Sequence, residues 1–232
     1  MKTRVIFFDL DDTLFPAEAI YQIGLRAAWQ RLRREKRLSW PQFRRVYARA
    51  RREVKAQLVE SPAARSRPLY FKRMTEILFG RTRARLVLEL SKAYETCWKR
   101  IDPRPARRVA AVLSRRYRLA VLTNQLALFQ LAKMARIDPD GKYFSLILTS
   151  EEVGCEKPDP RFFREACRWA GCRPEEAVLV GNSWTDDVLG PLRAGWHAVY
   201  VHPGLLKQTL PPHAVQVRRL DDLRGLFMSM KA

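Results

Sequence analysis

Asp9 and Asp11 stand two residues apart, directly after the apolar run Val5-Ile6-Phe7-Phe8. Four consecutive apolar residues read as a strand buried on both faces. That places the carboxylates at its C-terminal end, where open α/β sheets bind their ligands. Alternate residues of an extended chain share a side, so one carboxylate can attack a substrate while the other handles protons beside it. Such a pair suits phosphoryl transfer. Taken alone, the Asp-Asp-Thr that spans Asp11 to Thr13 also reads as a polar turn that caps the next helix.

Three later segments supply context. Leu119-Ala120-Val121-Leu122 is a second apolar strand, ending in the hydroxyl of Thr123 and the amide of Asn124. Glu156-Lys157-Pro158-Asp159-Pro160 offers a lysine that Pro158 biases toward an extended conformation. Val178-Leu179-Val180 runs into a turn at Gly181 and Asn182 and then the paired carboxylates Asp186 and Asp187. Each has a plainer reading: Thr123 as a strand-end hydroxyl, Lys157 as a loop lysine, Asp12 and Asp186 as caps. A plain reading must explain every segment separately.

In this order the four segments resemble the motifs of the haloacid dehalogenase superfamily: Asp-x-Asp-x-Thr, a Thr or Ser after the second strand, a Lys, and Gly-Asp-x-x-x-Asp. The resemblance spans the chain in outline and is strongest in the first and third motifs. Asn182 departs from it, standing where the family usually has a metal-binding Asp.

The resemblance implies a doubly wound, Rossmann-like parallel sheet with an inserted all-helical cap domain, and a Mg²⁺-dependent phosphatase. Asp9 is then the nucleophile, since a carboxylate attacking phosphorus splits one hard displacement into two through an aspartyl-phosphate. Asp11 protonates the leaving oxygen and later takes a proton from water, a step that carbon–halogen cleavage does not need. Thr123, Asn124 and Lys157 bind the phosphate, where positioning and charge neutralisation dominate. Clustered carboxylates beside a phosphate also call for a cation. The family pattern puts the Asp9 carboxylate, the Asp11 carbonyl and residue 182 on Mg²⁺, with Asp187 behind them. Asn182 offers a neutral oxygen, so either the metal binds more weakly or Asp186 or Asp187 compensates.

The elements that must hold these groups are legible in the periodicity. From about residue 17 to 99 the pattern is helical and almost free of glycine, with one apolar face marked by Ile20, Leu25, Ala28, Trp29 and Leu32. Breaks at Ser39-Trp40-Pro41, at Glu60-Ser61-Pro62 and at Gly80 divide it into four helices. Beyond Asp102-Pro103, strands expected at 119–123, 144–149, 178–181 and 198–201 alternate with helices at 106–116, 126–136, 160–170 and 184–194, before a last helix at 220–228. The expected domains are therefore a core of 1–15 with 103–232 and a helical cap of 16–102.

Composition bounds the rest. The 232 residues are 47 % hydrophobic, enough for one substantial core and a smaller domain. The stretch Met1-Lys2-Thr3-Arg4 leads into a strand too short for a signal peptide, and no run approaches the roughly 18 apolar residues of a membrane span, so a cytoplasmic protein with no membrane partner is expected. The four cysteines show neither Cys-x-x-Cys nor zinc-ligand spacing with the histidines, which suggests reduced structural thiols.

The net charge of +20 is regional: Pro16 to Arg104 holds 23 Lys+Arg against 8 Asp+Glu. Such a field attracts small phosphorylated substrates, and equally describes a solvated arginine-rich surface. A nucleic-acid partner is disfavoured, though not excluded, because the basic runs lack the Gly-aromatic signatures of common RNA-binding modules. The rivals to a phosphatase are a 2-haloacid dehalogenase, a phosphosugar mutase and a non-catalytic basic nucleic-acid-binding protein. Monomer and homodimer both remain open, as does the identity of the substrate.

Overall fold

The structure is a computed structural model that describes residues 3–59, 61–204 and 209–229. Met1, Lys2 and Glu60, which entered the sequence reading, lie outside the described residues. The chain forms two compact units, Met1–Pro16 with Asp102–Ala232, and Ala17–Ile101.

The first unit is built on six parallel strands in the order β3-β2-β1-β4-β5-β6, namely β1 (Val5–Phe8), β2 (Arg118–Thr123), β3 (Phe144–Thr149), β4 (Ala177–Gly181), β5 (His197–Val201) and β6 (Ala214–Val217). Val5 pairs with Arg118 on one side and Ala177 on the other, so β1 is central and the strand order reverses beside it. That is a Rossmann-like α/β sheet. Residues 5–8 are buried on both faces, which is why the run is apolar throughout rather than alternating. On one face Phe7, Leu122 and Leu179 pack with Phe162, Phe163 and Ala166 from a helix of the same unit, and the Phe7 ring lies 4.6 Å from that of Trp196.

The helices of this unit are α5 (Arg104–Leu113), α6 (Ala127–Ile137), α7 (Ser150–Val153), α8 (Pro160–Ala170), α9 (Gly190–Arg193) and α10 (Leu223–Ser229). Asp159 caps α8 by accepting from the Arg161 N–H, and Gly171 ends it in the left-handed conformation, as the sequence suggests. Three features depart from expectation. A helix over 184–194 is instead a π-helical turn, Trp184–Leu189, followed by the short α9, with Pro191 near the break. Asp187, in this turn, packs closely against Gly181 at the end of β4. Strand β6 was not anticipated, being a short edge that pairs only with β5 after Pro211-Pro212. Lys157-Pro158 lies in a turn closed by the Asp159 N–H on the Glu156 carbonyl, rather than in an extended segment.

Among its described residues the second unit holds four α-helices, α1 (Ala17–Leu32), α2 (Trp40–Gln57), α3 (Arg67–Phe79) and α4 (Ala84–Glu95). Ser39 caps α2 in a reciprocal capping box with Gln42. Its interior is aromatic: Trp40, Phe43 and Tyr47 stack in sequence, and Tyr47, Phe71 and Tyr94 continue the contact. Gly24 of α1 is required by close approach, because a Cβ there would fall 2.8 Å from Tyr94 of α4. Among the described residues no helix is long and apolar enough to cross a membrane.

Candidate active site

The ends of β1, β2 and β4 and the turn after α7 bring Asp9, Thr123, Lys157, Asn182 and Asp187 together, and Asp11 joins them from the turn that follows β1. The Asp9 N–H donates to the Val180 carbonyl at 2.8 Å, carrying the β1–β4 pairing one residue past the strand. Asp12 completes the turn with φ of 58°, a left-handed conformation that Asp tolerates better than most side chains.

Lys157 is the hub. Its Nζ donates to Asp9 Oδ1 at 2.8 Å, to Asp187 Oδ1 at 2.7 Å and to the Leu122 carbonyl at 2.9 Å. Three acceptors satisfy the three hydrogens of an ammonium. Its side chain is 1 % exposed, so this arrangement offsets a large desolvation cost. Burial works against the charged lysine, but Asp187 and Asp9 outweigh it and hold its pKa above the ordinary range. Two carboxylates share that one ammonium. Burial pushes Asp9 up to about 7, opposed by Lys157, while Asp187 and Asp11 add to the rise.

Asn124 and Asp187 serve differently from what the sequence suggests. Expected to bind phosphate, Asn124 uses its amide on the main chain of Lys157: Oδ1 accepts from the Lys157 N–H at 2.7 Å, and Nδ2 donates to the Lys157 carbonyl at 2.9 Å. Only its second amide hydrogen is left for a ligand. Asp187, expected near a metal, has Oδ1 on Lys157 and Oδ2 on the Ser183 N–H at 2.9 Å. Its carboxylate orients the lysine. Gly181 makes room for it, because a Cβ there would stand 2.3 Å from Asp187 Cγ.

Two residues of the cluster, Gln130 and Lys133, escaped the sequence reading, and Thr13, named there only within the first motif, joins them. Thr13 Oγ1 lies 3.3 Å from Asn182 Oδ1 and 3.5 Å from Asp9 Oδ2, so both oxygens face one point. Gln130 of α6 donates from Nε2 to Thr123 Oγ1, which leaves the Thr123 hydroxyl proton free to point at a ligand. Lys133, one turn further on α6, donates to both Asp11 oxygens, at 2.8 and 3.0 Å. The signal was present: α6 buries Phe129, Gln130, Lys133, Met134 and Ile137, so an amide and an ammonium occupy its apolar stripe. Leu128 and Leu131, which hydropathy would bury, are exposed instead.

As metal ligands the candidates are the Asp9 carboxylate, the Asp11 main-chain carbonyl and Asn182 Oδ1. All are hard oxygens of the type Mg²⁺ takes, and Thr13 marks the convergence of two of them. The donor set therefore fits Mg²⁺, with one charged ligand. No group of three or more His, Cys, Asp or Glu among the described residues is placed to hold a metal, so a cation here depends on the neutral oxygens. All four cysteines are free thiols.

A parallel sheet whose switch point gathers two aspartates, a buried lysine and a strand-end hydroxyl is the arrangement of an α/β hydrolase. The chain belongs to the haloacid dehalogenase-like hydrolase family, whose model matches residues 3–195. It is 29 % identical to glyceraldehyde 3-phosphate phosphatase of Methanothermobacter thermautotrophicus over 96 % of this chain and 97 % of that protein. It is 33 % identical to ribulose-1,5-bisphosphate 5-phosphatase of Halopiger xanaduensis over 88 % and 86 % of the two chains. The 2-haloacid dehalogenase of Pseudomonas syringae superposes with a TM-score of 0.73 over 97 % of this chain and 98 % of that one, at 22 % identity, a likeness of fold.

Proposed function

We propose that this protein is a Mg²⁺-dependent phosphatase that hydrolyses a small phosphorylated metabolite through an aspartyl-phosphate on Asp9. The observation that carries this reading is the second carboxylate: Asp11 stands beside Asp9 and is held by a lysine of its own. Carbon–halogen cleavage has no use for a proton donor at the leaving group, whereas ester cleavage does. The two phosphatases similar over most of this chain favour the same choice, since their names describe small phosphorylated sugars.

The Asp9 carboxylate attacks phosphorus while the bond to the leaving oxygen breaks. Lys157 and the Thr123 hydroxyl neutralise and orient the phosphoryl oxygens. Asp11 gives its proton to the leaving oxygen, then takes one from the water that attacks the phosphorylated Asp9. Asp9, the Asp11 carbonyl and Asn182 would hold Mg²⁺, which would add charge neutralisation at the phosphate. We further propose that residues 16–102 act as the cap that selects the substrate.

Turnover of para-nitrophenyl phosphate, measured with and without Mg²⁺, tests the reading. Asp9→Asn should lower the rate by roughly a thousandfold or more with the fold intact. Wild-type-like turnover by the pure variant would sink the covalent mechanism.

A further inference from the structure

Lys133 has no part in the reaction as written above, and its position is costly. Its side chain is 1 % exposed, on the buried face of α6, between Gln130 and Met134. Taking an ammonium out of water is costly, so a charge on this buried face calls for a use that its partner Asp11 explains. Asp11, by contrast, is 25 % exposed and can be hydrated without a cation. The pair therefore does more to hold Asp11 in place than to satisfy it.

The geometry is suited to holding. Both Asp11 oxygens accept from one Nζ, which fixes the carboxylate about its own axis. Asp9 is held by a different lysine, so two like charges at i and i+2 are kept on separate anchors 24 residues apart in sequence, Lys133 and Lys157. Helix α6 is itself pinned at its start, where the Ala127 N–H donates to Glu151 at 2.8 Å, and Gln130 ties the same helix to Thr123. One rigid element thus bears on both the proton-handling group and the phosphate-facing hydroxyl.

We propose that Lys133 is a positioning residue: it holds the Asp11 carboxylate through both oxygens and, when one of them carries the proton bound for the leaving oxygen, keeps the group oriented through the other. This rests on the phosphatase reading. Lys133 itself neither gains nor loses a proton. The bond from phosphorus to the leaving oxygen breaks as the bond to Asp9 forms, and the proton passes from Asp11 to the leaving oxygen.

The experiment measures kcat/KM, which reports the steps through phosphorylation of Asp9, for phenyl, 4-nitrophenyl and 2,4-dinitrophenyl phosphate. Protonation matters most for phenol and least for dinitrophenol. Lys133→Met should lower kcat/KM for phenyl phosphate by about thirtyfold or more, within the range general acid catalysis supplies, and for the dinitrophenyl ester by less than about threefold. In an Asp11→Asn background the same substitution should cost less than about twofold, because the effect proposed for Lys133 passes through Asp11. Lys133→Arg keeps the charge while shifting the carboxylate, and should show the same selectivity at smaller amplitude. It also decides the matter if Lys133→Met does not fold.

Equal losses on all three esters, additivity with Asp11→Asn, or no loss would overturn the proposal. Failure of the wild-type protein on all three esters would instead overturn the phosphatase reading.

Discussion

The two units handle charge in opposite ways. In the sheet unit the lysines that matter are buried and matched: Lys157 with Asp9 and Asp187, Lys133 with Asp11. In the helical unit arginine is in excess and most of it stays near solvent, Arg67 being the exception, packed against the rings of Tyr21, Tyr70 and Tyr94. Its acids are shared out among Arg31, Arg49, Lys72, Arg73 and Arg83. Other guanidinium groups lie over aromatic faces, as Arg26 does 3.8 Å above Trp40 and Arg33 does 4.9 Å from Trp29. An open groove of about 910 Å³, lined by Trp29, Arg33, Arg34, Arg37 and Trp40 among others, includes none of the site residues. A buried charge persists only where its partner is fixed, so it carries geometry. A solvated charge costs little and contributes mainly a field.

The largest test of this contrast is stability. Lys157→Met leaves two buried carboxylates without their cation and should cost about 3–5 kcal/mol in denaturant unfolding. Arg49→Gln, which breaks the solvent-facing pair with Glu53, should leave the unfolding midpoint unchanged. Equal effects would dissolve the distinction.

A second test adds charge where the site lacks it. Asn182→Asp should lower the Mg²⁺ concentration for half-maximal activity on the order of tenfold, and Asn182→Ala should raise it. Superimposable Mg²⁺ titrations for the three proteins would remove residue 182 from the metal.

The third concerns pH. Asp9 attacks only when ionised, and burial pushes it up to about 7. At low Mg²⁺ the protonated form dominates below that point, so kcat/KM should rise about tenfold per pH unit on the acid side. A cation beside Asp9 favours the carboxylate, so saturating Mg²⁺ should move this limb to lower pH. A limb that Mg²⁺ leaves in place would assign it to another group.

The smallest effect belongs to the helical unit. Arg44→Gln with Arg45→Gln should lower kcat/KM less than about threefold at low salt, and hardly at all near physiological ionic strength, where screening acts within about 8 Å. Sequence-selective nucleic-acid binding that survives physiological salt would give this surface a role of its own.

Much of this was legible from residues 5–14 alone, because a strand buried on both faces must be apolar and a carboxylate after it must face the sheet's end. The caps at Ser39 and Asp159 were equally plain, since they depend on neighbours within a few residues. Residues 184–194 misled, because a helical pattern does not reveal the extra residue of a π turn. Strand β6 was hidden for a related reason: a four-residue edge strand is defined by its partner.

By itself the sequence singled out groups that the structure gathers at one place, namely Asp9, Asp11, Thr123 and Lys157, and the alternation of elements that makes a parallel sheet. It did so because side-chain chemistry and hydrophobic period are local properties. Only the tertiary structure decided who holds whom: Lys157 on Asp9 across 148 residues, Lys133 on Asp11 across 122, and Asn124 and Asp187 as brackets for a lysine. Those pairings follow from the strand order, which places the ends of β1, β2 and β4 side by side. Whether a buried ammonium is tolerated depends on acceptors that come from distant segments of the chain.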